Sequence, residues 1–306
     1  MHLRTGPIRL PRKGFTLLEV LVVISIIALL AGLITAAANR ALVRMDEVRV
    51  RSEISQLETA LEQFKLTFGR YPPSRIVLSE SGNYDPTNPL HQYSEQYLQD
   101  LFPGINLKDK DGHDWDGDGV KAPPNIFYDL QGQECLVFFL GGIPFTGIGP
   151  SGFSTDKTRP TIPPTVSKSR LGPFFEFDTS RLKLVRDVVP PIRLPNDPVS
   201  QRFYVYLDRY GSPYAYFLAR DAATDNYLND CPDLVGPQFR PYVTAISVDP
   251  PVVKYHRPNS FQIVSAGKDK IFGSGGLYVP NDDNPQLSVY DYDNITNFSE
   301  GLLVPR

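Results

Sequence analysis

With 306 residues, 31 lysines and arginines against 34 aspartates and glutamates, and a formal net charge of -3, the chain lacks the bulk basic surface that nucleic acid demands. Hydrophobic residues make up 41%, an ordinary share, but their densest block stands near the N-terminus. The 29 prolines fall mostly beyond residue 70, which excludes long helices over most of the length.

The first 14 residues carry Arg4, Arg9, Arg12 and Lys13 and no acid. Positive charge stays on the cytoplasmic side of a membrane, so the remainder of the chain is expected to face outward. Gly14 precedes an apolar run, whereas a cleavable secretory peptide has its small-residue cut site after one; the apolar segment is therefore kept after a cut at the glycine. Residues 20–38 are uncharged and long enough to span a bilayer as a helix. Glu19, at the head of this run, is the exception. A carboxylate at the centre of a membrane helix costs about 2.5–3.5 kcal/mol, so it sits at headgroup level in a plain anchor or it meets a partner.

Charges return over 39–47 without a helix breaker. Val50, Ile54, Leu57, Leu61, Phe64 and Phe68 then recur at alternating steps of four and three, one apolar face of a helix, with Arg51, Glu53, Glu58, Glu62 and Lys65 mostly elsewhere. Gly69 and Pro72-Pro73 stop it. The spacing predicts one helix over residues 15–68, with a membrane or assembly half (15–38) and an amphipathic half (39–69) on a globular head, residues 70–306. In the head, turn signals surround a short helix near 94–102, and the apolar run 135–140 reads equally as a buried helix or a strand. Residues 104–200 form a loop-rich insertion, densest in glycine and proline over 141–200. Residues 203–207 read as a strand, and Tyr214 and Tyr216 point to one face at period two. The fold class is α+β: a long N-terminal helix packed on an antiparallel β-sheet head with long loops.

Two features invite chemistry. Asp114, Asp116, Asp118 and Gly119 match the opening of a calcium loop, with acids alternating so that several oxygens converge on one hard cation. The twelfth position is Asn125 and Pro123-Pro124 forbid the exiting helix, so this is no EF-hand but either another calcium loop or a solvated acidic turn. Cys135 and Cys231 suit an oxidising compartment where they would pair, or serve equally as buried free thiols. His91, His113 and His256 lack acids or cysteines at ligand or triad spacing, so no enzyme is expected.

Gly14-Phe15-Thr16-Leu17-Leu18-Glu19, behind its basic leader, resembles the processing site of type IV prepilins and type II secretion pseudopilins. Gly69-Arg70-Tyr71-Pro72 resembles the helix-to-head transition of the major, G-type pseudopilins. So do Asp208-Arg209-Tyr210-Gly211-Ser212-Pro213-Tyr214-Ala215-Tyr216 and Ser265-Ala266-Gly267-Lys268-Asp269 in the final third. The resemblance covers residues 1–73 and about 203–300 and leaves the middle uncovered.

It implies a pilin-like fold and a structural subunit for protein secretion, in a pseudopilus or a type IV pilus-like filament. Prepilin peptidase would cut between Gly14 and Phe15, the Phe15 amine would be methylated, and Glu19 would meet the Phe15 amine of a neighbour in the filament. Partners would be sister subunits, an inner-membrane assembly platform and membrane lipid, with the head in the periplasm. A DNA-uptake or adhesive pilin, or a tethered binding protein that borrows the anchor, are the alternatives. The resemblance also implies Ca2+ in the C-terminal loop, matched by position at Asp269 and only by order at Asp282 and Asp283, with Asp291 and Asp293 as further oxygens. A flexible polar tail is the rival reading there.

Overall fold

The computed structural model describes residues 15–120, 126–220, 227–248, 251–283 and 286–304. Gly14 with its leader, and Pro123, Pro124 and Asn125, lie outside them. The chain divides into two compact units, Met1–Asp46 and Glu47–Arg306.

The first unit contains the start of helix α1 (Leu17–Phe68). Its residues Leu17–Thr35 have a mean hydropathy of 2.9, long and apolar enough to cross a membrane. Every side chain from Phe15 to Thr35 is exposed.

In the second unit the stripe predicted from the spacing is the buried face of α1: Val50, Ile54, Leu57, Leu61, Phe64 and Phe68 all lie in one apolar cluster. Gly69, at φ 81°, ends the helix in the left-handed conformation, its N–H donating to the Lys65 carbonyl at 2.7 Å. After it come β1 (Ile76–Leu78), α2 (Pro89–Leu101), β2 (Tyr128–Leu130), α3 (Gly132–Gly141), β3 (Pro144–Phe145), β4 (Gly149–Pro150), β5 (Phe153–Ser154), β6 (Arg170–Leu171) and β7 (Leu182–Leu184). The last third supplies α4 (Pro198–Arg202), β8 (Tyr204–Tyr206), β9 (Ala215–Leu218), α5 (Pro232–Val235), β10 (Arg240–Val248), β11 (Pro251–Tyr255), β12 (Phe261–Ser265), β13 (Gly275–Leu277) and β14 (Ile295–Thr296).

The ambiguous run at 135–140 is helical. Glu134 accepts the Gln131 N–H at 2.9 Å and opens α3, and every residue of α3 is buried. A helix apolar on all sides has no period to betray it. Gly132 is required by close approach: a Cβ there would lie 1.9 Å from the Tyr216 carbonyl oxygen.

The strands differ from a single antiparallel sheet. Six small sheets occur among the described residues, and β13 runs parallel to β10. Prolines and glycines interrupt the ladders before any sheet widens. The sheet β14-β12-β9 parts two apolar clusters. Tyr214 and Tyr216, on one face as their period predicts, join the cluster of α1; Ala215 and Phe217 join the second, with Tyr242, Phe272 and Leu303. Residues from 104–200 do not stand apart. Trp115, Phe153, Phe175 and Val185 share the cluster of α1, and β7 pairs with β8 in register Leu182 to Tyr206.

One charge on α1 departs from its expected solvent position. Glu53 is buried, where it accepts hydrogen bonds from Arg181 (Nη1 to Oε2, 2.7 Å), Tyr206 (2.9 Å) and Tyr214 (2.6 Å) and pairs through Oε1 with the Arg181 Nη2. Burial opposes its charge, but Arg181 and the two hydroxyls outweigh burial and hold the carboxyl below its ordinary range. The two C-terminal motifs also meet here: Ser265 Oγ donates to Asp208 Oδ2 at 2.6 Å, and Asp208 Oδ1 takes the N–H groups of Tyr210 and Ser212.

Candidate functional site

The N-terminal site is built on Thr16 and Glu19. Thr16 precedes the first helical residue, and its N–H and Oγ donate to Glu19 Oε2 at 2.8 and 2.9 Å. Glu19 N–H returns a bond to Thr16 Oγ at 3.2 Å. This is a capping box: the acid satisfies donors that the helix start leaves open. The spacing Thr-x-x-Glu carries that signal in the sequence itself. Phe15 is exposed beside it.

The acidic loop converges, but on a different third residue. Ligand oxygens of Glu80, Asp114 and Asp116 lie within 4.8 Å of one another, the one such group of three among the described residues. Asp118 turns instead to Arg202, with Nη2 to Oδ2 at 2.8 Å, and Arg202 Nε also stands 3.4 Å from Asp116. Tyr128 donates to Asp116 at 2.9 Å. Asp114 takes the N–H groups of Asp118 and Gly119 at 3.1 and 3.0 Å. Burial first, and then the negative charge of Asp116, push its carboxyl from 3.8 up to about 6. The loop is strapped to the turn after β1 by His113 N–H on the Glu80 carbonyl (3.1 Å) and Trp115 Nε1–H on the Ser79 carbonyl (3.2 Å). Glu80 stands 34 positions before Asp114 in a plain polar turn, so no local pattern announces it.

The C-terminal loop does not form the cluster expected of it. Asp269 accepts the Ile271 N–H at 2.8 Å and donates its own N–H to Asp293 at 2.9 Å. Asp282 and Asp283 are exposed and are not gathered onto Asp269. The carboxylate that gathers this loop is Asp291. That buried carboxylate accepts the N–H groups of Ser274 (3.0 Å), Gly275 (2.8 Å) and Ser288 (2.8 Å) and the hydroxyls of Tyr242 (2.8 Å), Ser288 (2.7 Å) and Ser274 (3.2 Å). The disulfide alternative is likewise not made. Cys135 and Cys231 are buried free thiols that donate to the carbonyls of Leu130 and Tyr216.

Residues 9–35 match the model of the prokaryotic N-terminal methylation motif. The chain carries that motif. It spans Gly14, Phe15, Thr16, Glu19 and the whole exposed apolar stretch, and it stops short of both acidic loops. Beyond the motif, the chain is similar to type II secretion system core protein G of several bacteria. It is 42% identical to that of Klebsiella michiganensis over 64 residues, covering 21% of this chain and 45% of the relative. For Pectobacterium carotovorum the identity is 34% over 95 residues, 29% and 61% of the two chains, and for Escherichia coli 41% over 78 residues, 26% and 53%. The chain thus spans about half the length of these curated relatives. No solved structure matches it.

Proposed function

We propose that this chain is a structural subunit of a type II secretion pseudopilus or a related filament, rather than an enzyme. Prepilin peptidase cuts between Gly14 and Phe15, and the Phe15 amine is methylated. The apolar stretch anchors the subunit in the inner membrane with its head in the periplasm, and later bundles with sister subunits on an assembly platform. The observation that carries this reading is the methylation motif laid over a wholly exposed apolar helix that opens on a carboxylate. In hydrocarbon, a carboxylate and an ammonium are each costly alone and tolerable together. Gly14→Leu is expected to leave the leader attached, seen as a slower band beside wild type. Glu19→Ala is expected to be cut normally and to be missing from sheared filaments; normal incorporation would refute the pairing.

A calcium ion belongs to this reading at Glu80, Asp114 and Asp116. Three carboxylates and no nitrogen or sulfur donor suit a hard cation. The Asp269 loop is less suited, because Asp291 already gathers its backbone. Calcium at 100 times its dissociation constant would stabilise the head by about 2.7 kcal/mol. Thermal unfolding of the detergent-solubilised chain should therefore move up by several degrees with calcium and return with chelator. Asp116→Asn should abolish the shift and Asp269→Asn should keep it; the opposite pattern would return the ion to the C-terminal loop.

A further inference from the structure

We propose that the β10–β11 ribbon of one copy docks into the groove between the β3–β4 hairpin and β7 of the next copy, a contact that rests on the filament reading above. From Val243 and Tyr255 outward the ribbon is uncovered: Thr244, Ala245 and Ile246 are exposed in succession, as are Val253 and Lys254 on the other strand. Successive strand residues point to opposite faces, so both faces of the ribbon are open. Ile246 stands directly opposite Val253 in the ladder, and the two are 49% and 43% exposed. They form an apolar cross-strand pair on a two-stranded ribbon, which by itself is marginal in water and gains from being covered.

The groove has the matching character. A hollow of about 530 Å3 is walled by Ile148 and Pro150 of the β3–β4 hairpin, by Phe175 and Phe177, and by Leu182 and Tyr204 of the β7–β8 pair. It shares Phe175 and Glu176 with a second hollow, of about 400 Å3, that ends on Gln56, Thr59 and Gln63 of α1. Among the described residues, Glu176 is the one charged side chain lining either hollow, and Lys254 is the one charge on the ribbon beyond Val243 and Tyr255. An apolar pair beside a base therefore faces an apolar hollow beside an acid.

Ribbon and groove lie on different sides of the head. Phe177, Leu182 and Tyr204 belong to the cluster of α1, Tyr242 and Tyr255 belong to the second cluster, and the sheet β14-β12-β9 parts the two. A contact between unlike patches of identical subunits is heterologous, and where its rotation does not close it builds an open helical filament. The chain itself supplies both halves of the match in shape and in charge, so the occupant is a second copy.

The test uses the full chain in a host with a complete secretion system. Val253→Cys and Thr179→Cys, both at exposed positions, are introduced singly and together, and sheared filaments are treated with a short bismaleimide. Cys135 and Cys231 are buried, so the wild type serves as the blank. The double variant is expected to give a ladder of dimers, trimers and higher species, and the two single variants expressed together are expected to give dimers only. Lys254→Glu should lower the fraction recovered in filaments about threefold, the scale of an exposed ion pair. Glu176→Lys added to it should restore that fraction, which an effect confined to one copy would not do. Ile246→Asp should lower it about tenfold, the equivalent of one apolar side chain left uncovered. If the chain is recovered in filaments but the cysteines give no ladder and the charge reversal restores nothing, the contact is overturned and the filament reading stands. Dimers from Val253→Cys alone would set ribbon against ribbon, and adducts with a different protein alone would give the groove another occupant; either result overturns the proposal. If the chain is never recovered in filaments, both readings fall.

Discussion

Arg181→Met is expected to lower the unfolding free energy of the head by about 3–5 kcal/mol, because it leaves the buried Glu53 carboxylate without its cation. The side chains of Arg181 and Glu53 are only 14% and 10% exposed, so solvent does little to screen the loss. Urea unfolding of the detergent-solubilised chain, followed by near-ultraviolet circular dichroism, measures it. Replacing both partners at once, Glu53→Leu with Arg181→Met, should cost much less than Arg181→Met alone, since a matched apolar pair leaves no orphaned charge. Wild type and Arg181→Met differ in their response to pH. In the wild type the folded Glu53 carboxyl titrates below its ordinary value of 4.5. Its stabilising contribution is complete above that value and is lost as pH falls through the folded pKa. In Arg181→Met only the Tyr206 and Tyr214 hydroxyls still oppose burial, so the Glu53 carboxyl moves up from its wild-type position and acid costs the variant less than it costs the wild type. The stability gap between the two proteins should narrow on acidification; a gap that widens would contradict the ion pair as the dominant contact.

The second large effect is expected at Asp291. Asp291→Ala removes the acceptor of three backbone N–H groups and of the buried Tyr242 hydroxyl. Each buried donor left unpaired costs about 1–3 kcal/mol, so a total of about 3–5 kcal/mol is expected once the loop relaxes. Hydrogen exchange locates it: the amides of Ser274, Gly275 and Ser288 should lose protection first. Gly273 and Gly275 make the arrangement possible. A Cβ on Gly273 would lie 2.4 Å from the Asp291 carboxyl carbon, and one on Gly275 would lie 1.8 Å from the Arg240 carbonyl oxygen. Asp291 thus ties together the loop in which the family resemblance would place a cation. Unchanged protection of these amides in chelator is the matching expectation.

Legibility in the sequence followed the range of the interactions. The amphipathic stripe from Val50 to Phe68, the stop at Gly69, the apolar span ahead of them and the alternation at Tyr214 and Tyr216 are periodic or local, and each is found where the spacing puts it. The Thr16-to-Glu19 cap is equally local, since both residues lie within one turn. The α3 run is ambiguous for a definite reason. A segment buried on every side carries no contrast between faces, and only its neighbours decide its geometry.

The composition and patterning of the chain by themselves determine a basic leader, an apolar helix headed by one acid, and a proline-rich α+β body, because these depend on residues that are neighbours in sequence. Tertiary structure alone decided that Glu80 joins Asp114 and Asp116, that Asp118 is taken by Arg202, that Glu53 is buried against Arg181, and that Asp291 closes the C-terminal loop. Each of these brings a carboxylate to groups far from it in the chain. A carboxylate's partner is set by which donors and charges the packed core leaves within about 3 Å, and chain order holds no record of that distance.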